Sequence, residues 1–566
     1  MSGLDRGGKP ERLSHGVTLL WGWRRTLVVA GAGALAALAQ APFHAFPVLW
    51  ISFPVLVWAL DGAVELKKTG SLARLGPAFR VGWAFGTGWF LAGLWWIGAA
   101  FTVDLAQFGW MIPFALAVLS IGLGLFHGLA TAIARLLWSD GPGRIVALAI
   151  GFFLADWARG HVLTGFPWNL VGYGLAANGP MMQVASLVGG YGLTLLAVPI
   201  FAAPAVLARG DRTDRRFFAA AAALFVTVVG FGVVRLASTP TEFVPGVRFR
   251  IVQPAIDQWK KWKPEFKTET VERYAELSAG PAQDVPAAGA LASDLRPGLS
   301  AGTMASTHGT GRLPAGITHL VWPESAFPFV LTDEPWALST IAELIGDRTT
   351  LLTGAVRVEA PSAGEIRARW YNSIFALGPG AEVLAAYDKV HLVPFGEYLP
   401  FQDVAESLGL RQLTHLRGGF TPGPRRRTVE IPGTPPFSAQ VCYEVIFPGE
   451  VTDPAHRPDW ILNVTNDAWY GMTPGPWQHY HQARLRAVEE GLPVVRAANN
   501  GVSAAIDPLG RIVARLTLGA VGALDFDLPR PVSATIASRW GEKIAWVLVS
   551  IAFAAILYRR RNRSLE

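Results

Sequence analysis

The chain has 566 residues, enough for several domains, of which 51% are hydrophobic and only 16% charged, with a formal net charge of +7. A mean hydropathy of +0.32 is too apolar for an ordinary soluble enzyme of this size and points to a membrane part joined to a globular part. The positive charge lies in short clusters beside apolar runs, without the aromatic-interleaved stripe of a nucleic-acid surface, which argues against nucleic acid as a partner.

Residues 1–23 are polar and Gly-rich with no apolar core of a cleavable signal, so the first span is expected to direct insertion. A membrane-crossing helix needs about 20 mostly apolar residues. Eight spans are expected, near 25–40, 46–64, 81–101, 108–136, 144–158, 183–208, 216–236 and 540–558. Gly82, Gly86, Gly122 and Gly124 suit close packing of membrane helices. Basic residues mark alternate connections: Arg24 and Arg25; Lys67, Lys68, Arg74 and Arg80; Arg135 and Arg144; Arg209 to Arg216; and the tail from Arg559. By the positive-inside rule both ends are cytoplasmic and residues 238–539 lie on the outer side, the periplasm of a Gram-negative cell. The implied organisation is a cytoplasmic segment (1–23), a seven-span membrane domain (24–237), an outer catalytic domain (238–539), a last span (540–558) and a cytoplasmic tail (559–566). Asp104, His127 and Asp156 are too few and too scattered to mark a transport path.

The outer segment alternates strand and helix patterns, as an α/β layered domain does. Strands are expected at 247–252, 318–322, 351–356, 371–377, 437–442 and 460–464, and helices at 265–278 and 478–490. Residues 279–314, rich in Ala, Gly, Pro and Ser, read as a flexible insertion.

Three stretches place a polar residue where an expected strand ends. They are Trp322-Pro323-Glu324-Ser325; Tyr387-Asp388-Lys389-Val390-His391, running on to Pro394-Phe395-Gly396-Glu397-Tyr398; and Cys442-Tyr443-Glu444-Val445-Ile446-Phe447-Pro448. Cys442 is the chain's one cysteine, so no intramolecular disulfide forms, and the thiol is either an inert core group or a reactive one. Singly, each residue has a bland reading: Glu324 as a helix-end carboxylate, Lys389 as a solvated loop residue, Cys442 as a small packed hydrophobe.

Together these stretches resemble the carbon-nitrogen hydrolase (nitrilase) superfamily. Within it the chain resembles the apolipoprotein N-acyltransferases, which fuse such a domain to eight membrane spans. The resemblance extends to Phe166-Pro167-Trp168, Gly419-Phe420-Thr421-Pro422-Gly423, the stretch from Asn463 to Trp469, the stretch from Arg496 to Gly510, and Trp540-Gly541. Gln253-Pro254-Ala255 departs from the family's usual Asn two residues after the Gln.

The resemblance implies an αββα sandwich beside a polytopic helical membrane domain, in the inner membrane. It implies ping-pong acyl transfer through a thioester on Cys442, with Glu324 as general base and acid. Lys389 and the Tyr443 N–H would hold the oxyanion, and Glu397 and Glu444 would support the site, unless nearby backbone simply satisfies those two carboxylates. Trp262, Phe395, Trp469 and Tyr470 would line the lipid entrance, or else serve as interfacial anchors. A phospholipid would donate the acyl chain, and the amine of a diacylglyceryl-modified apolipoprotein would accept it. Neither a metal nor another cofactor is implied. The competing reading is a membrane-tethered nitrilase-type amidase that hydrolyses a small amide.

Overall fold

The computed structural model describes residues 9–63, 75–261, 263–283, 311–361, 368–400, 402 and 419–563. Lys67, Lys68, Arg74, Trp262 and most of the expected insertion at 279–314 lie outside the described residues. The chain forms two compact units, Met1–Thr239 with Ala534–Glu566, and Pro240–Ser533.

The first unit is helical. Each of the eight expected spans falls on a helix: Gly22–Ala36, Leu49–Asp61, Leu75–Leu94, Ile112–Leu136, Gly143–His161, Ala185–Ala202, Arg212–Ser238 and Lys543–Arg563. Among the described residues, four helical segments are long and apolar enough to cross a membrane: Leu75–Val103, Leu105–Leu136, Ala185–Ala208 and Arg212–Ser238. Phe46–Asp61 and Lys543–Tyr558 are shorter apolar helices, so the expected count of about eight crossings is not established. Glycines set how closely neighbours approach. A Cβ on Gly86 would fall 2.8 Å from the Gly124 Cα, so these two helices touch backbone to backbone. Gly122, also expected at a packed face, has open space around it, because a two-residue step turns it about 200° from Gly124.

Asp156 and Arg159 form a fully buried pair at 3.0 Å. The second Asp156 oxygen accepts from the Thr194 hydroxyl at 2.9 Å and the Val171 N–H at 3.0 Å. Arg159 donates to the Phe166 and Trp168 carbonyls at 2.5 and 2.7 Å, which fixes the Phe-Pro-Trp loop. Asp156 is therefore a packing lock.

The second unit contains two six-stranded mixed sheets. One has the order β12-β1-β2-β3-β4-β5. Its strands are β1 (Phe243–Gln253), β2 (His319–Trp322), β3 (Thr350–Glu359), β4 (Arg369–Leu377), β5 (Val383–Asp388) and β12 (Gly522–Pro529). The other has the order β11-β10-β9-β8-β7-β6. It is built from β6 (Thr428–Ile431), β7 (Thr434–Val441), β8 (Trp460–Thr465), β9 (Val494–Ala498), β10 (Ser503–Ile506) and β11 (Ile512–Leu516).

Period-two alternation sorts the side chains into layers. Phe249, Ile251, Val321, Leu352 and Ile374 of the first sheet share one core with Phe437, Ala439, Val441, Leu462 and Val464 of the second. The intervening Val252, Leu320, Trp322 and Leu351 face outward and pack with residues of helices Lys267–Ala279 and Pro335–Ile345. Helix Pro474–Glu490 covers the outer face of the second sheet through Tyr480 and Ala487. The result is the expected αββα layering.

β1, β2 and β3 run parallel, as do β7, β8 and β9. Their carboxyl ends are where side chains leave the ladders free to converge, as in other parallel sheets.

Asp156→Ala would strand Arg159 as a buried charge, which costs about 3–5 kcal/mol. A clear fall in the thermal unfolding midpoint in detergent micelles is expected, and Asp156→Asn, which keeps an acceptor, should fall less.

Candidate active site

Each polar residue singled out from the sequence sits just beyond a strand end, where the chain turns sharply. Glu324 follows β2 in the turn Pro323-Glu324-Ser325, and Ser325 adopts φ +46°. Gly354 of β3 lies behind that turn; a Cβ there would stand 2.5 Å from the Glu324 Cα and 2.7 Å from the Ser325 N. Only glycine allows the turn to sit so close to the sheet.

Lys389 follows β5. Its N–H donates to the Asn372 carbonyl at 2.9 Å, while Asp388 one residue earlier holds the Arg357 guanidinium at 2.8 Å through each oxygen. Cys442 ends β7 at φ +50° and opens the 3-10 turn Cys442–Ile446. A β-strand entering such a turn through a non-glycine residue at positive φ is strained by about 1–3 kcal/mol. Two groups hold it there: the His479 ring donates from Nε2 to the Cys442 carbonyl at 3.0 Å, and Glu444 accepts the Val441 N–H at 2.8 Å.

Glu324, Lys389 and Cys442 are all buried, Lys389 lies near Glu324, and both act electrostatically on Cys442. Lys389 Nζ lies 2.8 Å from a Glu397 oxygen and 3.7 Å from Glu324 Oε1. Asn372 of β4 spans the two carboxylates, its amide donating to Glu324 at 2.7 Å and to Glu397 at 2.8 Å. The other Glu324 oxygen accepts the Asn466 N–H at 2.8 Å. Burial alone would depress the Lys389 ammonium, but Glu397, Glu324 and Cys442 outweigh it and push its pKa up, so it stays charged. Burial, then the Glu324 charge, push the Cys442 thiol up against the opposing pull of Lys389. The resting sulfur is therefore a thiol that needs a base.

Two candidate bases flank it. Cys442 Sγ, Asp467 and His479 have ligand atoms within 4.8 Å of one another, the one such metal-capable group among the described residues. Yet a carbonyl can only accept, so the His479 Nε2 proton is committed to the Cys442 main chain. Asp467 is matched by Arg496 at 2.7 Å and by the His479 ring at 2.8 Å. Arg496 and His479 hold the Asp467 carboxyl below its usual range although burial opposes them, and a guanidinium at that oxygen repels a metal cation. The Asp467-His479-Arg496 group thus braces the elbow, and Glu324 is the carboxylate left facing the thiol.

Of the supporting residues, Glu397 is carried inward by the tight turn at 393–398, which Glu397 itself braces by accepting the Val393 N–H at 2.8 Å. Glu444 is a tie between strand ends: it accepts from Val441, from the Val390 and His391 N–H groups at 2.8 and 3.2 Å, and from the Tyr387 hydroxyl at 3.1 Å. Burial pushes its carboxyl up against those donors. This is the backbone-satisfied role, and it links the cysteine elbow to the lysine strand. Tyr443 is buried with its ring edge-on to Phe447. Its main chain comes immediately after Cys442, at the start of the 3-10 turn.

The expected entrance residues divide. Phe395 projects outward, 58% exposed at φ +62°. Trp469 and Tyr470 are half-buried on the turn Asp467–Tyr470. The Tyr470 phenol is pushed up by burial and by Cys442, Asp467 and Glu324. Trp262 lies outside the described residues.

Asn372 was not foreseen, although an Asn inside the otherwise apolar run of β4 is the kind of buried polar residue that asks for a partner. Lys261 was also missed, because nothing in Trp259-Lys260-Lys261-Trp262-Lys263 distinguishes one lysine from another.

Comparison with known proteins gives the same two-part division along the chain. Residues 32–203 match the apolipoprotein N-acyltransferase N-terminal domain, and residues 250–536 match the carbon-nitrogen hydrolase domain. The chain is 44% identical over 564 residues to an apolipoprotein N-acyltransferase of Rhodopseudomonas palustris, covering 99% of each. It is 46% identical to that of Bradyrhizobium diazoefficiens, covering 97% of this chain and 98% of the relative. Against the Brucella suis protein of that name it is 43% identical, with 97% and 99% covered.

Gly354→Ala forces the Glu324 turn off its sheet, and overpacking of this kind costs about 1–3 kcal/mol. The thermal midpoint should drop by several degrees, whereas Gly122→Ala, inside a helix with open space around it, should leave it nearly unchanged.

Proposed function

This chain belongs to the apolipoprotein N-acyltransferase family, and from that we propose that it moves an acyl chain from a phospholipid to the N-terminal amine of a diacylglyceryl-modified apolipoprotein through a thioester on Cys442. The observation that carries the reading is the buried grouping of the Cys442 thiol, the Glu324 carboxyl and the Lys389 ammonium just beyond strand ends.

In the first half-reaction Glu324 takes the proton from the Cys442 thiol as the sulfur attacks the ester carbonyl. Charge develops on the carbonyl oxygen, where Lys389 and the Tyr443 N–H stabilise it. The C–O bond breaks, Glu324 returns its proton to the departing alkoxide, and a lysophospholipid leaves. In the second half-reaction Glu324 accepts a proton from the acceptor amine as its nitrogen attacks the thioester. The C–S bond breaks, and the sulfur recovers the proton from Glu324. Every step needs Glu324 alternately charged and neutral, and the amide of Asn372 with the Asn466 N–H keeps its oxygens aimed throughout. Glu397 keeps Lys389 from pairing with Glu324 alone.

The exchange converts an ester to an amide through a thioester and needs no nucleotide. Both substrates keep their chains in a bilayer, which gives a physical reason for fusing the catalytic unit to apolar helices. In this reading the catalytic unit is periplasmic, both termini are cytoplasmic, and Phe395, Trp469 and Tyr470 line the lipid entrance.

Incubating the purified full chain with phospholipid micelles should add one acyl mass to Cys442, removable by hydroxylamine. Cys442→Ser should abolish that adduct and the conversion of diacyl to triacyl lipoprotein. Asn372→Leu should slow adduct formation about 10²-fold and also lower the thermal midpoint, because two buried carboxylates lose their shared donor. A wild-type protein that forms no adduct, or discharges it to water as fast as to an amine, would contradict the reading.

A further inference from the structure

Lys261 ends the short helix Gln258–Lys261 that follows β1, and its side chain is fully buried. Its ammonium has one hydrogen bond among the described residues, to the main-chain carbonyl of Glu324 at 2.9 Å. Two of its three N–H groups are left without such a partner. Gln258 on the same helix accepts from the Asn466 side chain at 2.8 Å, and the Asn466 main chain donates to Glu324. One turn of helix therefore reaches Glu324 twice, once through its carbonyl and once through its carboxylate.

A buried ammonium needs opposite charge nearby. Glu324, in the turn after β2, and Cys442, in the elbow after β7, both act on Lys261 to keep it charged. Lys389 is the other cation at that pair, already matched to Glu397, while Asp467 beyond the sulfur is matched to Arg496. Counting charges, Glu324 and Glu397 oppose Lys389 and Lys261. When the sulfur gives its proton to Glu324, the negative charge moves from carboxylate to sulfur without leaving the reach of either ammonium.

We propose that Lys261 is a second cationic residue of the acyl-transfer site, which positions Glu324 through its carbonyl and stabilises the Cys442 thiolate as Glu324 takes the proton. The inference rests on the acyl-transfer reading above. A neutral donor would satisfy the Glu324 carbonyl equally well, so a charge at this position points to an electrostatic task as well. Burial lowers the Lys261 ammonium to about 8 despite Glu324 and Cys442, so it is charged below that pH and neutral above it. Thiolate stabilisation is then present at neutral pH and lost as pH rises through about 8.

The test follows the rate of adduct formation on Cys442 by intact-protein mass spectrometry, using the full chain in mixed detergent micelles containing dioleoyl phosphatidylethanolamine from pH 6.5 to 9.5. A neighbouring charge shifts a pKa by about 1–3 units, so Lys261→Gln, which keeps a donor but loses the charge, should acylate at least about tenfold more slowly at pH 7. Its profile should be flat where the wild type declines above pH 8. Lys261→Arg should recover part of the rate and keep it at pH 9. A Lys261→Gln rate within about twofold of wild type overturns the proposal, as does a decline above pH 8 that persists in Lys261→Arg. Should the variants fail to fold, the wild-type profile decides alone, because a rate that does not fall through pH 8 also overturns it. Failure of the acyl-transfer reading is separate: there the wild type itself forms no adduct at any pH.

Discussion

Two carboxylates and an ammonium removed from water govern the catalytic unit. Taking such groups into a protein interior costs several kcal/mol each unless their charges meet and their remaining lone pairs are satisfied. Glu324, Lys389 and Glu397 meet both conditions through one another and through Asn372, whose single amide serves both carboxylates. The cluster is consequently rigid, and it fixes the electrostatic surroundings of Cys442 before any substrate arrives. Against burial, Glu397 and Glu324 push the Lys389 ammonium toward its charged form, while burial and Glu324 push the Cys442 sulfur toward its thiol form.

The scaffold delivers those groups by ending strands abruptly. Cys442 and Ser325 each leave a sheet at positive φ, conformations that persist only where the surroundings over-determine them. Gly354 gives the Glu324 turn its space, and the His479–Asp467–Arg496 network clamps the Cys442 carbonyl. Glu444 then joins the end of β7 to the chain after β5, so the cysteine and lysine turns move as one piece. The Cys-His-Asp proximity resembles a thiol protease set, yet the direction of one hydrogen bond gives the histidine a bracing role.

The helical unit obeys different rules, because small residues and one buried ion pair carry its specificity. Gly86 meets Gly124 backbone to backbone, and Asp156 with Arg159 pins the Phe-Pro-Trp loop through carbonyl contacts. The same chain thus uses buried charge twice, as a lock in the helices and as a cluster beside Cys442 in the sheets.

The sequence by itself determined six of the twelve described strands, β1–β4, β7 and β8, since apolar runs bounded by turns expose their own period, and it placed Glu324 and Cys442 just beyond two of them; β5, β6 and β9–β12 emerge only through pairing in the sheets. It also separated the apolar helices from the mixed segment, because membrane-length runs need no tertiary information. Which polar groups touch was decided only by the fold. Alternation tells which face of β4 holds Asn372, but its two partners lie 48 and 25 residues away. Lys261 is one of three lysines in five residues, and only docking of its short helix against the Glu324 turn places its ammonium on the Glu324 carbonyl. The role of His479 depends on a ring direction set by packing, which composition and spacing do not encode. Periodicity is a property of neighbours along the chain, whereas a site is made by residues far apart in sequence that share one desolvated volume.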